Sequence, residues 1–119
     1  MRILAVEMPY IGSSLSVNHY KYGHYKKPEV VNWMYTLGWI IKSKNAKIED
    51  WKQPITVNVR GVFKNHRQTP DTHNLLKIIC DSIEAVTGLN DKYYRTETEA
   101  PVIDKTKEPT LTITITEAE

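Results

Sequence analysis

Four polar residues spaced along one stretch, Asp71, Asn74, Lys77 and Asp81, could do chemistry together, with Asp91 a short loop further on. On a helical wheel turning about 100° per residue they share an arc of roughly 120°. Leu75, Leu76, Ile79, Cys80, Ile83 and Val86 fill another arc of roughly 140°. One helix would thus bury one side and present two acids, an amide and a lysine on another. Carboxylates gathered at a helix start and a nearby loop suit hard divalent cations, which also take oxygen from water and phosphate. In phosphodiester hydrolysis such an ion generates hydroxide and stabilises the departing oxygen. A neighbouring lysine can hold the scissile phosphate. The same residues admit a plainer reading, with Asp71 a helix cap and Lys77 and Asp81 solvated charges.

The elements that must position these residues follow from pattern. Ile3–Met8 alternates and Pro9 ends it, which predicts a strand. Residues 10–27 read as a long polar and aromatic loop. Pro28 and Glu29 open a helix whose stripe is Val30, Met34, Leu37 and Ile41, running to about Asn45, with Gly38 a modest weakness. Ile55, Val57 and Val59 alternate in a second strand, and a change of phase near Gly61 predicts a bulge. Thr69 as N-cap and Pro70 at N1 open the second helix, with Asp71 an alternative cap, and Gly88 closes it. Residues 93–98 and 111–116 predict the last strands, with a turn at 104–109. The class is α+β: one domain over residues 1–119, in the order β-α-β-α-β-β, a mixed sheet with two helices packed on it.

Composition narrows the function classes. The chain has 119 residues, 40% hydrophobic and 25% charged, and a single cysteine, Cys80. That excludes an internal disulfide framework and a zinc site built on several thiolates. No apolar run is long enough to span a membrane, and residues 1–6 lack the form of a signal peptide, so an intracellular, cytoplasmic setting is expected. The net charge of +2 conceals a division. Residues 19–67 hold ten Lys and Arg against three acids, whereas residues 68–119 hold five against ten. A polyanion grip feeding an acidic metal centre would have this polarity, as would chance on solvated surfaces.

The block Asp71-Thr72-His73-Asn74-Leu75-Leu76-Lys77, then Asp81, then Asn90-Asp91, resembles the signature of RusA-like Holliday junction resolvases. The likeness extends to Asn18-His19-Tyr20 and to a last strand finishing in Thr114-Ile115-Thr116-Glu117, and so covers nearly the whole chain. It implies a homodimer that binds branched DNA, such as a four-way junction, and cuts it by Mg²⁺-dependent hydrolysis, with Mn²⁺ an alternative. By position, Asp71 and Asp91 match the catalytic, metal-binding carboxylates, Lys77 the catalytic lysine and Asp81 the helix acid. His73 stands in place of the second acid and Asn90 in place of the first loop acid. The centre therefore lacks two negative charges. Either His73, a better ligand for Mn²⁺ than for Mg²⁺, or Asp81 makes up the set, or the protein binds branched DNA with weakened catalysis. A third reading is a structural or partner-binding subunit whose acids are merely solvated.

The basic part interleaves charge with aromatics from His19 to Lys27. His19, Lys21, Lys26 and Lys27 are candidate DNA contacts there, and Lys64 and Arg67 candidates just before the acidic helix. Trp33 and Trp51 suit core or interface roles. Trp39 projects away from the first helix's stripe, as a subunit contact would. Cys80 lies on the core face, and Glu97, Glu99, Glu108, Glu117 and Glu119 read as surface charge.

Overall fold

Period-two alternation in the strands and one apolar stripe on each helix sort the chain into a sheet with helices on one face. The computed structural model describes residues 1–16, 21–22 and 25–119. In chain order the elements are β1 (Ile3–Pro9), β2 (Lys21–Tyr22), β3 (Tyr25–Lys26), α1 (Pro28–Lys44), β4 (Thr56–Phe63), α2 (Leu76–Thr87), β5 (Arg95–Thr98), β6 (Val102–Ile103) and β7 (Thr110–Thr116). The main order is the expected one. The differences are the short antiparallel pair β2–β3 inside the predicted long loop and the extra strand β6.

The sheet runs β1-β7-β4-β5, with β6 also paired to β4. β7 is antiparallel to both β1 and β4, while β5 and β6 are parallel to β4. Leu4, Val6 and Met8 of β1, Val57, Val59 and Phe63 of β4, and Leu111, Ile113 and Ile115 of β7 are all buried. They join Val30, Leu37 and Ile41 of α1 and Ile78, Ile79 and Ile83 of α2 in one core. Each large side chain removed from water there contributes about 1.5–3 kcal/mol.

The bulge expected at Gly61 is absent. β4 holds one register against β7 from Thr56↔Thr116 to Val62↔Thr110. Gly61 is required instead because a Cβ there would collide with the Phe63 ring. The irregularity falls on the partner strand, where the offset to β4 changes by one residue between β5 and β6, across residues 99–101.

Pro28 starts α1, where a missing N–H costs nothing. Trp33 is buried, and its indole N–H donates to the Pro9 carbonyl at 2.7 Å, tying α1 to the end of β1. Gly38 lets the two helices approach closely, since a Cβ there would lie 2.5 Å from Val86 Cγ1. Tyr35 and Trp39, one turn apart on α1, are 75% and 73% exposed. Glu117, expected as surface charge, is instead a bracket whose side chain is only 11% exposed. Its carboxylate accepts from the Arg2 side chain at 2.9 and 3.0 Å and from the backbone N–H groups of Arg2 and Lys52. Arg2 and these N–H groups hold its pKa down at about 2. Among the described residues no helix is long and apolar enough to cross a membrane.

Candidate active site

The second helix does not begin as a simple α-helix. Asp71 caps a 3₁₀ turn, Thr72–Leu75, and its Oδ1 accepts from the His73 N–H at 3.1 Å. Thr69, the expected cap, closes the preceding turn, His66–Gln68, and its hydroxyl donates to the Asn65 carbonyl. Asp71 is therefore a cap, whatever else it does. The 3₁₀ turn advances about 120° per residue rather than 100°, so the wheel drawn from Asp71 through Asp81 does not hold over its first part. Asp71 and His73, both exposed, line a cleft of about 290 Å³ with Thr98 and Glu99. His73 Nε2 lies 3.4 Å from Thr98 Oγ1.

From Leu76 onward the α-helical spacing applies and a different group assembles. Asp81, Glu84 and Asp91 bring carboxylate oxygens within 4.8 Å of one another, and each residue is half-buried. Asp81 and Glu84 are one turn apart on α2, hence neighbours on its surface. Asp91 reaches them because the chain reverses sharply after the helix. Gly88 adopts the left-handed conformation (φ 72°) and its N–H donates to the Glu84 carbonyl at 2.8 Å. The Thr87 hydroxyl accepts from the Leu89 N–H. The buried Tyr94 then donates its hydroxyl to the Leu89 carbonyl at 2.7 Å, and Asn90 caps the 3₁₀ turn Asp91–Tyr93. The Asn90 amide thus holds the turn that carries Asp91.

Lys77 Nζ lies 3.1 Å from Asp81 Oδ1. Three carboxylates gathered in this way suit a cation. Cys80 sits beneath, buried and free. Burial first, then the charges of Asp91 and Asp81, push its thiol up to about 12. The donor set, three carboxylate oxygens, fits a hard divalent ion, which also takes oxygen from water and phosphate.

The structure thus joins two of the expected ligands, Asp81 and Asp91, and puts Asp71 and His73 in a separate cleft. Glu84 escaped the sequence reading. Its signal was there in the i, i+3 spacing from Asp81 and the glycine that turns the chain back, but a lone glutamate on a helix has no mark of function. Among the proposed DNA contacts, Lys26 and Arg67 are exposed, and Lys27 is half-buried at the start of α1. Lys64 pairs with the exposed Glu108 at 3.2 Å, an interaction weak enough for a phosphate to replace. His19 and the side chain of Lys21 lie outside the described residues, as do Asn18 and Tyr20.

No curated protein matches the chain. The sequence model of the endodeoxyribonuclease RusA family matches residues 14–116, and the chain belongs to that family.

Proposed function

As a member of the RusA endodeoxyribonuclease family, this chain, we propose, is a nuclease that resolves four-way junctions and related branched DNA by divalent-metal-dependent hydrolysis. The observation that carries this reading is the convergence of Asp81, Glu84 and Asp91 within 4.8 Å, beside a lysine at the family's catalytic position. These three carboxylates would hold Mg²⁺, or Mn²⁺, with Asp81 and Glu84 making up for the acids that His73 and Asn90 replace. The bound ion would supply an activated water and stabilise the departing oxygen. Lys77, already against Asp81, would exchange part of that contact for a phosphate oxygen. Asp71 would act from the cleft it shares with His73, Thr98 and Glu99, and Lys26, Lys27, Lys64 and Arg67 would carry the arms of the junction.

Incubation of a four-way junction with Mg²⁺ or Mn²⁺ should give paired nicks. Asp91→Asn and Asp71→Asn should abolish them and leave binding intact. Binding without nicks in either metal would instead support a branched-DNA-binding protein with lost chemistry, a reading favoured by the place of His73 outside the acidic group. A two-fold dimer suits the two symmetric strands of a junction. Tyr35 and Trp39 offer the apolar surface for it. Sedimentation should find a dimer that Trp39→Ala weakens, and an unchanged association would remove α1 from the interface.

A further inference from the structure

The turn that delivers Asp91 also displays an aromatic ring that nothing in the metal chemistry requires. Tyr93 is 61% exposed, two residues beyond Asp91 on the same 3₁₀ turn. The Lys92 ammonium lies 4.9 Å from the centre of its ring. Its neighbour Tyr94 is buried and anchored to Leu89, so one tyrosine fixes the turn while the other is presented outward. The turn is further held by the Asn90 cap and by the Tyr93 and Tyr94 N–H bonds to Asn90 and Asp91. A ring left largely in water forgoes burial worth about 1.5–3 kcal/mol, and a ligand can recover that.

We infer that Tyr93 is a substrate-positioning residue, stacking on an unpaired or splayed base beside the scissile phosphate, with Lys92 contacting a neighbouring phosphate. Three features of the turn support this. An exposed aromatic with a cation at its face is the pairing that grips single-stranded or distorted nucleic acid, because every base has a π face and every nucleotide a charge. The turn is capped and hydrogen-bonded, so the backbone that carries the ring is tied to the backbone that carries Asp91. And Lys92 supplies positive charge where the acidic group would otherwise repel the backbone. The assignment rests on the proposed nuclease function and extends it to the side chain that sets which nucleotide enters the centre.

The test measures junction affinity of the full chain in EDTA, so that no cleavage intervenes, together with KM and kcat in Mg²⁺ or Mn²⁺. A junction carrying 2-aminopurine at the crossover reports the stacked base. Tyr93→Ala and Tyr93→Leu should each weaken binding roughly tenfold or more, raise KM more than they lower kcat, and remove the 2-aminopurine response. Tyr93→Phe should preserve all three, which a hydrogen-bonding or purely structural role of the hydroxyl would not. Lys92→Gln should reduce the slope of log K against log salt by about 0.9. If wild type binds and cuts the junction while Tyr93→Ala behaves identically, this assignment fails alone. If wild type neither binds nor cuts it, the assignment fails with the proposed function.

Discussion

At the scale of single residues, the site turns on which carboxylates meet. Asp81 and Asp91 are separated by a helix end and a loop, yet their oxygens converge with that of Glu84. Glu84→Gln, which keeps the shape and removes the charge, should weaken Mn²⁺ binding by about tenfold or more, read as free Mn²⁺ by electron paramagnetic resonance. His73→Ala should leave that affinity unchanged, since His73 lies outside the acidic group, in the Asp71 cleft against Thr98. Cys80 gives a separate check on the ground beneath the site. With its thiol pushed up to about 12 and its side chain buried, it should resist Ellman's reagent at pH 8 in the native protein and react promptly in denaturant.

At the scale of elements, two contacts hold the frame that carries those carboxylates. The first is the close crossing of α1 and α2 at Gly38 and Val86. Gly38→Ala gains about 1 kcal/mol of helix propensity but drives a methyl into a β-branched side chain with little freedom to move, costing about 1–3 kcal/mol. The packing term should win, giving a lower thermal midpoint and, because α2 carries Asp81 and Glu84, weaker metal binding. The second contact is the Glu117 bracket, which joins the start of β1 to the end of β7 and to residue 52. Its carboxyl is held at about 2, below the ordinary 4.5. The folded state therefore binds this proton less readily than the unfolded chain does. The stabilisation is complete above about pH 4.5 and is lost as the pH falls toward 2. Glu117→Gln should be less stable than wild type at neutral pH, and the difference should close across that window in acid-unfolding curves.

At the scale of the whole molecule, the sheet puts helices on one face; Thr98 of β5 meets His73 ahead of α2, whereas Asp91, in the turn before β5, meets Asp81 and Glu84 on the helix itself. The charge division along the chain becomes spatial only in part. Lys26 and Arg67 are exposed and suited to phosphate, while Lys64 is engaged by Glu108 and Glu117 belongs to the frame. Of the ten acids after residue 67, three form the candidate centre and most of the others pair, cap or face water. DNA affinity should accordingly fall steeply with salt, and Arg67→Gln should lessen that dependence by about one unit of slope if it meets a phosphate.

The amino-acid sequence by itself determined the class and the main elements, because alternation, apolar stripes, Pro28 and Gly88 act within a few residues of where they stand. It also carried the family signature, since a motif is a linear object. What it could not convey was the start of the second helix, where Asp71 caps a 3₁₀ turn and lines a cleft with His73 instead of joining Asp81, or the reason for Gly61, which lies in the Phe63 ring rather than in a bulge. Nor could it mark Glu84. The partnership of that residue with Asp91 is made by a chain reversal, and the free energy that selects the reversal comes from burying Tyr94 and from the close packing of α2 on its neighbours. Local pattern reports what a segment prefers, and only tertiary packing decides which charges must face one another.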